Sequence, residues 1–119
     1  MLSPGPAKKV TIYLNQDTGS SRGFLSDEIL ALLQGEDVGI AGVTVLHAYA
    51  GAGSHRRLHK EDGGDVAGLH LPAVIVFVDA PDKVDAILPA LLEMVTDGLV
   101  EAHPTEILKS IAGREKVVS

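Results

Sequence analysis

Residues 39–59 read GIAGVTVLHAYAGAGSHRRLH and change character halfway along. The first half reads as a strand. Val43, Val45, His47 and Tyr49 fall on one side of a period-2 pattern, and Thr44, Leu46, Ala48 and Ala50 fall on the other. Gly51, Ala52 and Gly53 then strip away side-chain bulk, which lets a backbone turn sharply or approach a ligand closely. His55, Arg56, Arg57, His59 and Lys60 follow at once, so cationic donors gather beside bare backbone in a chain of formal net charge −6. The pattern predicts a strand over 42–51 and an irregular, mobile loop over 54–68. Glu61, Asp62 and Asp65 balance the basic half of that loop, so an ordinary self-pairing surface loop is the competing reading.

Outward from this stretch, the elements fall into two similar halves. Residues 9–15 alternate, with Val10, Ile12 and Leu14 opposed to Thr11 and Tyr13, and form the first strand. Ser26 is a candidate N-cap, followed by Asp27 and Glu28. Leu25, Ile29, Leu32 and Leu33 recur at helical spacing, predicting a helix to about residue 36. Residues 71–79 form a strand that is apolar at both parities, Ala73, Ile75 and Phe77 against Val74, Val76 and Val78. Pro81 suits a first helical turn, and Val84, Ile87, Leu88, Leu91 and Val95 mark a buried stripe with Pro89 inside it. Thr96, Asp97 and Gly98 make a turn into a last strand over 99–107.

The order βαββαβ predicts an α+β, ferredoxin-like fold, a four-stranded antiparallel sheet with two helices on one face. Two helices cover one face only, yet the strand at 71–79 is apolar on both. A half-solvated sheet should alternate with polar residues, so another subunit is expected on the open face.

The 119 residues make one domain. It divides into a flexible N-terminal arm at 1–8, the folded domain at 9–108 and a C-terminal tail at 109–119. An acidic chain with 3% aromatics argues against nucleic-acid binding. Without cysteine there is no disulfide and no thiol chemistry. The longest apolar run is too short to cross a bilayer and the first residues lack a signal-like segment, so the cytoplasm is the default location. No triad, P-loop or dinucleotide fingerprint is present, and the paired acids Glu61 and Asp62 sit on a loop without rigid support. The chain reads as a binding protein without cofactor or structural metal, not as an enzyme.

GIAGVTVLHAYAGAGSHRRLH, followed by LPAVIVFVDAPDKVDAILPALLEMVTDGLV at 71–100, resembles the PII-like family known as domain of unknown function 190. The resemblance spans about residues 10–107 and extends in fold to the nitrogen-regulatory PII signalling proteins. It implies a homotrimer with inward-facing sheets and a recognition loop at about 52–70 between the second and third strands. A small anionic metabolite, an adenine nucleotide in particular, would bind in the cleft between subunits. Gly51, Gly53, Ser54, His55, Arg56 and Arg57 would hold it from the loop side, and Thr96, Asp97 and Gly98 from the other. A protein partner, such as a membrane transporter or channel, would read the state of the loop. One departure matters: Leu99 stands where PII proteins place a lysine, and only Lys109 or Arg114 could replace the other basic groups. That favours a ligand less charged than ATP, such as a nucleoside monophosphate. The alternative is a metal-binding protein like the trimeric CutA proteins, which requires His55, His59 or His103 to converge. A ferredoxin-like oxygenase or isomerase, with its active site on the open sheet face, is a third class. It needs a dimer and a polar constellation on the sheet, which these strands lack.

Overall fold

The computed structural model describes residues 2–15, 19–20, 23–48, 50–52, 58–60 and 72–111. The chain runs β1 (Gly5–Asn15), β2 (Gly19–Ser20), β3 (Gly23–Phe24), α1 (Leu25–Leu33), β4 (Val43–His47), β5 (Ala50–Ala52), β6 (Leu58–Lys60), β7 (Pro72–Asp79), α2 (Pro81–Met94) and β8 (Leu99–Ile107). Four strands form the main sheet in the order β4-β7-β1-β8, with every neighbouring pair antiparallel. The two remaining pairs, β2–β3 and β5–β6, are separate hairpins. This is the ferredoxin-like α+β arrangement that the element order predicts.

Alternation sets the core. On β1, Val10, Ile12 and Leu14 are buried, and they lie opposite Phe77, Ile75 and Ala73 of β7. Leu25, Ile29 and Leu33 of α1 recur every four residues, and Val84, Ile87 and Leu91 of α2 recur every three or four, so each helix presents one stripe to that cluster. Pro89 lies within α2 on its exposed side, so the carbonyl it leaves without an N–H partner faces water and the helix continues through it.

Several boundaries differ from the sequence reading. β1 begins at Gly5, because residues of the expected arm pair with β8 from Gly5↔Ile107 onward. α1 has Phe24 as its N-cap without a side-chain cap, since the β2–β3 hairpin feeds directly into it, and Ser26 lies inside the helix. It ends at Leu33, where Gly35 donates its N–H to the carbonyl of Leu32 and a turn replaces the last helical residues. The strand expected over 42–51 is broken. β4 stops at His47, and the segment beyond it leaves the main sheet to pair with β6. Residues 58–60, inside the expected irregular loop, are therefore a strand.

Among the described residues, no helix covers the second face of the sheet. Across it, the register aligns Leu46, Val74, Tyr13 and Leu99 in one row, then Thr44, Val76, Thr11 and Glu101, then Val78, Lys9 and His103. Leu46 is 55% exposed, Leu99 51% and Tyr13 42%. The face grades from apolar at one end to charged at the other. Among the described residues, no helix is long and apolar enough to cross a membrane.

Candidate functional site

The strand that leads to one of the segments marked for ligand binding, β4, ends at the same end of the sheet at which the other, residues 96–98, enters β8. That end is set by Asn15, opposite Pro72, and by Tyr13, opposite Leu99. On one edge β4 finishes there, and Ala48 donates its N–H to the carbonyl of Pro72 at 3.0 Å before the chain passes into β5. On the other edge α2 finishes and residues 95–98 lead into β8. Between these edges lie three strand spacings, about 14 Å at 4.8 Å each.

On the loop side, Gly51 lies in β5 opposite His59 of β6, with Ala50 opposite Lys60 and Ala52 opposite Leu58. A two-stranded pair thus frames the cationic stretch. Gly53, Ser54, His55, Arg56 and Arg57 themselves lie outside the described residues, as do Glu61, Asp62, Asp65 and Arg114.

On the turn side, Thr96, Asp97 and Gly98 are all exposed. Gly98 has a packing reason of its own: a β-carbon there would stand 2.4 Å from the carbonyl oxygen of Tyr13 and 2.9 Å from Cδ2 of Leu14. No side chain fits between this turn and β1. The glycine lets the turn press against the sheet, which holds Thr96 and Asp97 at its rim. Leu99 follows at once, half exposed on the open face and without a basic group.

The described histidines lie on separate strands, with His59 in β6. His47 closes β4 on one edge, while His103 lies in β8 on the other, opposite Lys9. Among the described residues no group of three or more His, Cys, Asp or Glu is placed to hold a metal ion.

Sequence reading passes over Asp79 and Lys83. Asp79 ends β7 with its side chain fully buried, and Lys83 donates from Nζ to the carbonyl of Gly39 at 2.8 Å. The available signal is an acid closing an apolar strand, PAVIVFVD, immediately before a helix that starts with proline.

Comparison with known proteins bears on the family and the fold. The family model of DUF190, described as "Uncharacterized ACR", matches residues 7–107. Among solved structures, the chain is similar to CPII, a nitrogen regulatory PII-like protein from Thiomonas intermedia K12 bound to ADP, AMP and bicarbonate. The TM-score is 0.66 at 18% identity, over 92% of this chain and 94% of that one. The apo form of CPII matches with a TM-score of 0.55 at 16% identity, over 90% of this chain and 97% of that one. A protein of Thermus thermophilus described as PII-like matches with a TM-score of 0.60 at 16% identity, over 90% and 94% of the two chains. At these identities the likeness establishes a shared fold.

Proposed function

The chain belongs to the DUF190 family, and from that premise we propose that it is a PII-like regulatory protein that binds an adenine nucleotide or another small anion between subunits of a homotrimer. It acts by binding, not by catalysis. The observation that carries this reading is that β4, which leads to the cationic loop, ends and β8, which follows the 96–98 turn, begins at the same end of the sheet but on opposite edges. These two edge strands are about 14 Å apart within one chain, a separation that favours a site completed by a neighbouring copy. Set edge to edge, the β4 side of one copy and the β8 side of the next bring a cationic loop against the 96–98 turn. The open apolar row of Leu46, Val74, Tyr13 and Leu99 gives such copies a surface to share.

CPII, with the same fold, is described as bound to ADP, AMP and bicarbonate, and these are the ligands to try first. Arg56, Arg57 and the N–H groups around Gly51 and Gly53 suit phosphate or bicarbonate oxygens. A bound ligand would order the 52–70 loop and change the surface shown to a partner protein, to the extent that its affinity differs between the two loop states.

The test is calorimetric titration of ADP, AMP and bicarbonate, with light scattering for mass. A trimer that binds ADP is the expected result, and Arg56→Ala with Arg57→Ala should weaken binding by about one to three decades. The melting temperature should hardly move, because exposed loop arginines add under about 1 kcal/mol to stability. A monomer that binds none of the three would overturn the reading.

A further inference from the structure

The 39–42 segment, GIAG, carries the resemblance yet takes no part in the ligand site just described. Its surroundings assign it another task. Asp79 is completely buried at the end of β7. Its Oδ2 accepts the backbone N–H of Ala41 at 2.7 Å, and its Oδ1 accepts that of Ala80, also at 2.7 Å. A carboxylate tolerates such burial when charge-assisted bonds replace its water. These two bonds join the segment leading into β4 to the N-cap of α2. Lys83, in the first turn of α2, adds the bond to the Gly39 carbonyl. Gly39 itself sits at φ +68°, a left-handed conformation that glycine adopts without strain.

β4 needs such an anchor. Among the described residues it is an edge strand with one neighbour, its Val43 and Val45 are only half-buried, and Thr44, Leu46 and His47 are exposed. A strand with so few buried contacts is among the first parts of a fold to open. Its far end, at His47 and Ala48, is the base from which the chain enters the cationic stretch.

We infer that Asp79 and Lys83 form a clamp that holds the start of β4, and through β4 sets the position of the loop base. Both are positioning residues, and their effect on ligand affinity rests on the nucleotide-binding reading above. The clamp itself does not.

Two variants test it. Asp79→Asn keeps the side chain's size but turns an amide NH2 toward one of the two N–H donors. Lys83→Met keeps the stem and deletes the donor at an exposed position. Amide hydrogen exchange on the full chain without ligand should show residues 41–47 exchanging about tenfold faster or more in Asp79→Asn. A smaller rise should appear in Lys83→Met, with residues 9–14 of β1 unchanged in both. Lys83→Arg, which restores a donor, should return exchange toward that of the unaltered protein. ADP affinity should fall in Lys83→Met and recover in Lys83→Arg. Unchanged exchange at 41–47 in both variants overturns the clamp. So does a rise shared equally by β1, which would make Asp79 a support of the fold as a whole. Should Asp79→Asn fail to fold, the Lys83→Met and Lys83→Arg pair decides by the same split. Should ADP, AMP and bicarbonate all fail to bind a protein that is monomeric, the binding reading falls while the exchange result still judges the clamp.

Discussion

The two faces of the main sheet are built from the same strands and meet opposite fates. On one, Val10, Ile12 and Leu14 meet Phe77, Ile75 and Ala73 beneath two helices and leave almost nothing exposed. On the other, Tyr13, Leu46 and Leu99 each leave about half their surface to solvent, with Thr11 buried at the sheet's centre. The covered face is uniform because the chain completes it. The open face grades from a row of Leu46, Val74, Tyr13 and Leu99 to one of Val78, Lys9 and His103. A gradient of this kind orients a neighbour, since an apolar row favours contact and a charged row restricts which contacts are allowed.

The contrast can be broken most forcibly from the covered side. Phe77→Ala should cost about 3–5 kcal/mol, as large aromatic-to-alanine changes in a core do. That lowers the melting temperature by roughly 10–20 °C for a domain of this size. A shift of only a few degrees by calorimetry would mean that this face is far less tightly packed than its burial indicates.

Leu46→Ala probes the open face, and its effect should appear in assembly. If a second copy covers Leu46, losing its side chain removes about 1.5–3 kcal/mol of burial, or roughly ten- to a hundredfold in association. Sedimentation across a concentration series reads this directly. An unchanged association curve would place the interface elsewhere.

Gly98→Ala tests the joint between the faces, where the turn after α2 presses on β1. A methyl group 2.4 Å from the Tyr13 carbonyl oxygen forces the turn outward, and such overpacking costs about 1–3 kcal/mol. A denaturant midpoint equal to that of the unaltered protein would show that the turn yields freely.

The smallest effect belongs to Lys8, which pairs with Asp85 of α2 at the surface. With side chains 28% and 56% exposed, the pair is solvated, and Lys8→Ala should cost under about 1 kcal/mol. The loss should shrink further in high salt. A salt-independent loss would point to the packing of the lysine stem instead.

How much of this was legible beforehand follows from the range of each interaction. Alternation at 10, 12 and 14 and the recurrences at 25, 29, 33 and at 84, 87, 91 are local patterns, and the structure buries those residues. The apolar character of both sides of β7 was equally visible, and it leaves Val74, Val76 and Val78 half-buried on the open face. The break of β4 at His47 was not legible. The alternation runs on to Ala50, while the strand that Ala50, Gly51 and Ala52 pair with lies in a stretch without periodicity. Of the candidate site, the sequence named Gly51 and the 96–98 turn but could not show that β4, which leads to the first, and β8, which follows the second, are opposite edge strands, because that depends on strand order.

By itself, then, the sequence determined the order of the two helices and the four main-sheet strands, the buried stripes and hence the fold class, because burial writes a period of 2 or about 3.6 into neighbouring residues. Only the tertiary structure decided what Gly39, Asp79 and Gly98 are for. Gly39 receives its hydrogen bond from Lys83, Asp79 holds the N–H of Ala41, and Gly98 stands against the backbone of Tyr13. Each meets a partner far along the chain, so its role is set by a distance in space that no local period can record.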